Sequence, residues 1–169
     1  LGRYNASFVA YDKVTQMDKE NENAWYFKAD ALYRQGRYNE SIEAFDKALQ
    51  IDPEATRAWI GKGNALNETR RQTEAVKAYQ KALNISDIDT RINPKDNKAW
   101  MGRGDALMNL GRQEEALQAY EKAIETDPEN FPGWQKKGDL LMELGRYEEA
   151  LAAYEKAIEV DPTFPRLWY

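Results

Sequence analysis

Five tryptophans recur along the chain at a nearly constant interval, and this interval constrains the fold more than any other feature of the sequence. Successive tryptophans are 34, 41, 34 and 34 residues apart, at Trp25, Trp59, Trp100, Trp134 and Trp168. A fixed period of this length is typical of an array of similar small units, none of which can bury its apolar face alone. The sequence therefore predicts a repeat protein.

Each repeat is predicted to contain two helices. Trp25 and Leu32 lie seven residues apart, which places both on one face of a first helix. Apolar residues within 42–49 recur at spacings of three and four, which predicts a second helix. Gly36 stands between the two helices and suits a left-handed cap. Pro53 ends the second helix, because proline cannot continue it.

The same positions recur in all four whole repeats. A small residue follows the tryptophan by four positions, at Ala29, Gly63, Gly104 and Gly138. An aromatic residue lies in the second helix, at Phe45, Tyr79, Tyr120 and Tyr154. A proline closes the repeat, at Pro53, Pro94, Pro128 and Pro162. The chain thus resembles the tetratricopeptide repeat, whose pattern is W-x2-L-G-x2-Y, then A-x3-F, then P. One departure recurs, because the first Leu of that pattern is Lys28, Lys62, Arg103 or Lys137.

The resemblance covers essentially the whole chain. It implies an all-α fold, a right-handed superhelical solenoid of antiparallel helix pairs with a concave groove lined by first helices. Residues 1–169 are predicted to form one array, with a second helix of a partial repeat at 1–21, whole repeats at 22–55, 56–96, 97–130 and 131–164, and the start of a truncated repeat at 165–169. That last segment contains Leu167, Trp168 and Tyr169. The chain begins at Leu1 and shows no capping helix, so we expect a fragment of a longer array.

The interval of 41 residues indicates an insertion of seven residues before Pro94, at about 86–93. Ile85, directly before it, and Ile88 and Ile92 within it have helical spacing, which favours more helix. However, seven helical residues rise about 10 Å and leave no chain to return to the next repeat. We therefore expect the second helix to end near Asp89 and the rest to form a bulging loop. A tolerated loop and a functional protrusion are both open interpretations.

Composition excludes several classes of function. The chain has no cysteine and no histidine, which removes thiolate chemistry and the usual general base and metal ligand. We therefore expect no catalytic residue, no cofactor and no metal site. The net charge is −5 with dispersed basic residues, and no apolar run could span a membrane, so neither nucleic acid nor membrane is an expected partner. We expect a cytoplasmic location, while four glycosylation sequons at Asn5, Asn39, Asn67 and Asn84 leave export open.

The resemblance implies that ligands lie in the groove, in contact with set positions of the first helices. These positions are Tyr26, Phe27, Asp30, Tyr33, Arg57, Ile60, Asn64, Asn67, Lys98, Met101, Asp105, Met108, Gln135, Asp139 and Met142. Asp30, Asp105 and Asp139 recur at one position, which suggests a repeated acidic group for basic residues of a ligand. The carboxylate clamp found in some members of the family is not expected, because Tyr26, Asp30 and Gly61 occupy most of its positions.

The sequence therefore predicts a non-catalytic scaffold that binds a peptide segment or a partner helix in its groove. Two alternatives stay open. The chain could be a structural array piece that associates head to tail through its open ends. It could also be the regulatory section of a larger enzyme.

Overall fold

The computed structural model describes residues 2–162, and these residues form α-helices joined by short turns, without any strand. The helices are α1 (Gly2–Met17), α2 (Glu22–Arg34), α3 (Tyr38–Ile51), α4 (Thr56–Glu68), α5 (Gln72–Ile92), α6 (Asn97–Asn109), α7 (Gln113–Thr126), α8 (Phe131–Glu143) and α9 (Tyr147–Val160). Helix α2 packs against α3, α6 against α7, and α8 against α9. The all-α fold of helix pairs is therefore confirmed. The start of a further repeat at Leu167, Trp168 and Tyr169 lies outside the described residues.

The helices fall into two compact units, which divide between Ile85 and Ser86 inside α5. Unit 1 contains α1 to α4 and the first part of α5. Unit 2 contains the end of α5 and α6 to α9. The organisation of 1–169 as one array with the predicted repeat boundaries stays a prediction.

Glycine ends the first helix in three of the four repeats. Gly36, Gly111 and Gly145 have φ angles of 76°, 74° and 73°, which a residue without Cβ adopts at no steric cost. In the second repeat Arg70 occupies the same turn with φ of 60°. A side chain in this region is uncommon, so the second repeat forms its turn at a conformational cost that the others avoid.

The second helix begins in the same way in all four repeats. An arginine directly before it forms two hydrogen bonds to the glutamate three residues later, as Arg112 does to Glu115 at 2.7 and 2.6 Å. These bonds hold the pKa of Glu115 below its ordinary value. The copies of this pair are Arg37–Glu40, Arg71–Glu74 and Arg146–Glu149. A carboxylate in the first turn also suits the helix dipole.

The repeated tryptophan holds the turn that precedes its own helix. Its indole Nε1 donates a hydrogen bond of 2.9 Å to the carbonyl oxygen six residues earlier, as from Trp59 to Pro53. The same bond joins Trp25 to Lys19, Trp100 to Pro94, and Trp134 to Pro128. The constant distance from proline to tryptophan in the sequence is therefore a structural requirement of this turn.

The recurrent basic residue, which departs from the family pattern, joins neighbouring helices. Lys62 forms an ion pair of 2.5 Å with Asp46 of α3, and its ammonium lies 5.4 Å from the centre of the Trp59 ring. The equivalent ion pairs, each between residues 16 positions apart, are Lys28–Asp12 at 2.7 Å, Arg103–Asp87 at 2.6 Å and Lys137–Glu121 at 2.9 Å. Each basic side chain thus covers the indole and meets a carboxylate on the preceding second helix.

The expected bulging loop is wrong, because α5 stays helical to Ile92 and spans 21 residues. The turn after it, at 93–96, has the length seen in the other repeats. Seven residues make almost two helical turns, so the residues that follow them lie on nearly the same face of the helix as they would without the insertion. Ser86 and Thr90 are buried on this face, and Asp87 pairs with Arg103 of α6. No additional loop is needed to reach α6, because α6 contacts the added helical turns through the ion pair of Arg103 with Asp87.

Candidate functional site

The fifteen predicted groove residues lie on first helices, and all of them are half-buried or exposed. We call those of unit 1 the aromatic surface and those of unit 2 the methionine surface. The aromatic surface comprises Tyr26, Phe27, Asp30 and Tyr33 on α2, and Arg57, Ile60, Asn64 and Asn67 on α4. The methionine surface comprises Lys98, Met101, Asp105 and Met108 on α6, and Gln135, Asp139 and Met142 on α8.

Arg57 joins the two helices of the aromatic surface. Its guanidinium lies 4.4 Å from the centre of the Tyr26 ring and 5.7 Å from that of Phe27. It also forms an ion pair of 3.2 Å with Glu22 and a hydrogen bond to Asn23. The guanidinium is therefore already neutralised, and it presents a flat cation over aromatic rings rather than an uncompensated charge.

The two aromatic rings of α2 are supported from neighbouring helices. Phe27 stacks on Tyr11 of α1, with ring centres 5.1 Å apart, and is 38% exposed. Tyr26 packs against Phe45 of α3 at 5.9 Å. A ring that is held by a neighbour and still partly exposed, as Phe27 is, loses little conformational entropy when a ligand covers it.

Tyr33 lies toward the end of α2, where its ring centre is 5.4 Å from that of Tyr38. Burial and the negative charge of Glu68 raise the pKa of Tyr33 above its ordinary value. Its hydroxyl is therefore neutral at physiological pH. Asp30 accepts a hydrogen bond of 3.4 Å from Arg34 one turn later, so its charge is partly compensated.

Asp105, one of the recurring acidic groups predicted along the groove, already has partners within the protein. The hydroxyl of Tyr120 donates a hydrogen bond of 2.8 Å to Asp105, and Lys136 forms an ion pair of 2.8 Å with the same carboxylate oxygen. Tyr154 donates in the same way to Asp139 at 2.7 Å. In the third and fourth repeats the acid therefore has a structural role inside its own repeat, which sequence reasoning missed. The available signal was a tyrosine fifteen residues after Asp105 and after Asp139.

The second and first repeats vary this bond. In the second repeat Oδ1 of Asn64 accepts a hydrogen bond of 2.9 Å from the hydroxyl of Tyr79, so an amide takes the place of the carboxylate. The first repeat has Phe45, which has no hydroxyl to donate to Asp30. Burial raises the pKa of Tyr79 to about 12. Burial and the bond to Asp139 raise the pKa of Tyr154 to about 12 as well.

In three repeats the tyrosine ring packs directly against a glycine of the first helix. A Cβ atom added to Gly63, Gly104 or Gly138 would lie 2.4, 2.4 or 2.6 Å from the ring of the tyrosine in the same repeat. Only glycine allows that approach. In the first repeat Ala29 takes the place of glycine, and the ring of Phe45 lies against Gly61 of the following helix instead, where an added Cβ would be 2.3 Å away.

The methionine surface carries three of the four methionines of the chain. Met101 and Met108 are half-buried, and Met142 is 46% exposed. Methionine is flexible and polarisable, so such a surface can adapt to different apolar side chains. Near its edge, Glu143 accepts a hydrogen bond of 3.3 Å from Gln113.

Comparisons with known proteins agree with this geometry. Models of the tetratricopeptide repeat match residues 22–55, 52–90, 98–130 and 119–152, and a further TPR repeat model matches 138–169. The chain belongs to the tetratricopeptide repeat family. No curated protein sequence matches it. Repeats of this family are generally non-catalytic interaction modules, so membership supports a scaffold role with protein or peptide partners.

Several solved structures share the tetratricopeptide fold. TTC0263, a thermophilic TPR protein from Thermus thermophilus, is 23% identical with a TM-score of 0.75, over 96% of this chain and 85% of that one. MamA from Desulfovibrio magneticus RS-1 is 22% identical with a TM-score of 0.56, over 96% and 88%. A crystal structure of MamA is 24% identical with a TM-score of 0.53, over 98% and 92%. At these identities the likeness shows the fold alone.

Within residues 2–162, no three histidine, cysteine, aspartate or glutamate side chains are grouped as metal ligands would be. In the same part of this tetratricopeptide chain, every helix is too short or too polar to cross a membrane.

Proposed function

We propose that the chain binds a peptide segment or a partner helix through its first helices, without catalysis. The observation that carries the proposal is the exposure of large apolar side chains at first-helix positions, above all Phe27 and Met142. Each of these two residues belongs to a surface with further half-buried apolar residues, Tyr26 and Ile60 in unit 1 and Met101 and Met108 in unit 2. An exposed apolar patch marks an interaction site more often than a single exposed side chain does. A cytoplasmic location remains part of this proposal.

The two surfaces favour different anchors of a ligand. The aromatic surface offers rings and a guanidinium, which suit a flat or aromatic side chain. The methionine surface offers adaptable contacts, which suit aliphatic side chains. Basic residues of a ligand would meet Asp139 and Glu143, which are exposed, rather than Asp105, which Lys136 and Tyr120 already occupy.

The experiment is a peptide-array screen followed by titration of each selected peptide. The test variant combines Phe27→Ala with Met142→Ala, which removes exposed apolar groups from both surfaces. The control variant combines Ile88→Ala with Ile92→Ala, since these α5 side chains are 52% and 77% exposed and lie outside the first helices. We expect the test variant to weaken binding at least tenfold and the control to bind like the unaltered chain. Equal binding by all three proteins would contradict the proposal.

Self-association is the second candidate, and one observation favours it. Leu151 on α9 is 60% exposed, whereas Leu117 at the same position of α7 is 4% exposed. Tyr147 and Ile158 are exposed on the same helix. A rise of molecular mass with concentration that Leu151→Gln abolishes would support association through α9. A mass that stays constant up to millimolar protein would exclude it.

A further inference from the structure

A cleft of about 550 Å³ lies in unit 1 between the ends of α1 and α3 and the start of α2. Thr15 and Lys19 line it from α1 and the following turn, Trp25 from α2, and Lys47 and Ile51 from α3. We call it the α1–α3 cleft. It shares no residue with the aromatic surface, so it is a separate recess of the same unit.

The sequence around this cleft departs from the repeat at two positions. The position ten residues before the tryptophan holds Leu49 and Ile124 in two repeats, but Thr15 here. Thr90 holds the same position before Trp100. However, the residue four positions after Thr90 is a proline, whereas the residue four positions after Thr15 is Lys19. Thr15 is therefore smaller than the residues at its position in those two repeats, and Lys19 adds a positive charge to the lining beside Trp25.

The charges around the cleft are not balanced. Asp12 is fully engaged, because Lys28 forms an ion pair of 2.7 Å with it and Gln16 donates a hydrogen bond of 2.9 Å. Lys47 donates to the neutral amide oxygen of Gln50 at 3.1 Å. Among residues 2–162, the ammonium of Lys19 forms no ion pair. Lys19 and Lys47 therefore face a single further carboxylate of the lining, that of Glu20.

We propose that the α1–α3 cleft binds an acidic segment of a partner protein that carries one apolar side chain between two carboxylates. The apolar side chain lies on Trp25 and Ile51, and the carboxylates meet Lys19 and Lys47. The volume suits a few residues of peptide. A long polyanion fits less well, because the chain carries a net charge of −5 and would repel it outside the cleft.

The test uses the peptide acetyl-Asp-Leu-Asp-amide and follows the indole N–H resonance of Trp25 by two-dimensional NMR. The matched peptides acetyl-Asn-Leu-Asn-amide and acetyl-Lys-Leu-Lys-amide measure the contribution of charge. We expect saturable shifts with the acidic peptide, at least fivefold weaker binding of the asparagine peptide, and no saturation with the lysine peptide. Added salt should weaken binding of the acidic peptide.

Three variants make the outcome decisive. Thr15→Leu restores the residue type of Leu49 and should fill the cleft, so binding should fall at least tenfold while the protein stays folded. Lys47→Gln alters an exposed side chain, which leaves folding intact, and should remove the preference for the acidic peptide. Phe27→Ala should bind like the unaltered chain, which separates this proposal from the first-helix proposal. Equal binding of all three peptides, unchanged binding by Thr15→Leu, or no shift at millimolar peptide would overturn the inference.

Discussion

The second repeat (56–96) and the third (97–130) share one pattern but differ in three structural details. The second helix is 21 residues long in the second repeat and 14 in the third. The turn between the helices uses Arg70 in one and Gly111 in the other. The buried tyrosine donates to an amide, Asn64, in one and to the carboxylate of Asp105 in the other. The pattern therefore tolerates changes at the ends of its helices and in its polar bonds, while the core between the helices is kept.

The longer helix changes which residues are covered. Leu117 of α7 is 4% exposed, and Val76 at the same position of α5 is 43% exposed. In α5 the ion pair to the following first helix is made by Asp87, eleven residues after Val76. The insertion thus moves the contact along the helix without turning its face. A repeat array can absorb a whole number of turns in this way, because neighbouring repeats need a matching face rather than a fixed length.

Deletions in α5 test this conclusion with the largest expected effect. Removal of 86–92 should keep a cooperatively folded protein, because it joins Ile85 to Asn93 and restores the spacing of the third repeat. Removal of 86–90 leaves only Arg91 and Ile92 of α5 between the deletion and the turn. It should therefore rotate the start of α6 by about 140° about the axis of α5, so that the buried face of α5 no longer meets α6. We expect the melting temperature of the five-residue deletion to be about 10 °C or more below that of the seven-residue deletion. Thermal unfolding followed by circular dichroism measures the difference, and equal melting temperatures would contradict the requirement for a matching face.

The glycine that contacts the tyrosine ring should not tolerate substitution by alanine in the third repeat. Gly104→Ala places a Cβ 2.4 Å from the ring of Tyr120, which is 2% exposed and held by Asp105. Overpacking of this kind costs about 1–3 kcal/mol, of which the better helix propensity of alanine offsets up to about 1 kcal/mol. Urea unfolding should show a net loss.

Ala29→Gly is the matched control in the first repeat. There Phe45 belongs to the same buried cluster as Ala29, so its ring already accommodates a Cβ at position 29, and it also lies against Gly61. We expect this variant to lose the helix propensity of alanine, about 1 kcal/mol, and the burial of one methyl group, about 1 kcal/mol, because Ala29 is buried. A gain of stability in Gly104→Ala, by contrast, would show that the ring of Tyr120 shifts freely.

The sequence predicted some of these features and left others open for physical reasons. The tryptophan period and the glycine and proline positions were enough to predict the helix pairs, because those residues act through local backbone geometry. The end of α5 was predicted wrongly, since the argument required a return path and overlooked that seven residues restore the helical face. The bond from Tyr120 to Asp105 joins two helices, so its fifteen-residue spacing has meaning only once their packing is known. The groove residues as ligand contacts stay a prediction.

Loss of the tyrosine hydroxyl should have a moderate effect that depends on pH. Tyr120→Phe removes the bond to Asp105, and Phe45 shows that the ring alone fits this position, so we expect a loss of about 1 kcal/mol at pH 7. Burial and the charge of Asp105 raise the pKa of Tyr120. The folded protein therefore keeps a proton that the unfolded chain releases above about pH 10, and stability falls as pH rises beyond that value.

The variant lacks this titration at position 120, so its stability should fall less steeply between pH 9 and about pH 11 than that of the unaltered chain. Tyr79 and Tyr154 each have a pKa raised to about 12, so they cause part of the loss of stability at alkaline pH in both proteins. Urea unfolding at a series of pH values measures the two slopes. Parallel curves would mean that the hydroxyl of Tyr120 ionises in the folded state as readily as in the unfolded chain.

The turn at Arg70 should give the smallest effect, with the opposite sign. Arg70→Gly brings the second repeat to the residue that Gly111 supplies in the third, and it removes the steric cost of a side chain at φ of 60°. That cost is about 1–2 kcal/mol, and the greater freedom of glycine in the unfolded chain cancels part of it, so we expect a net gain of about 0.5–1 kcal/mol. The reverse change, Gly111→Arg, should destabilise the third repeat by a similar amount, because the two turns adopt nearly the same conformation. If Arg70→Gly lowered the melting temperature instead, the arginine side chain would have to contribute a stabilising interaction larger than its backbone strain, and the two repeats would differ in how their turns are held as well as in their length.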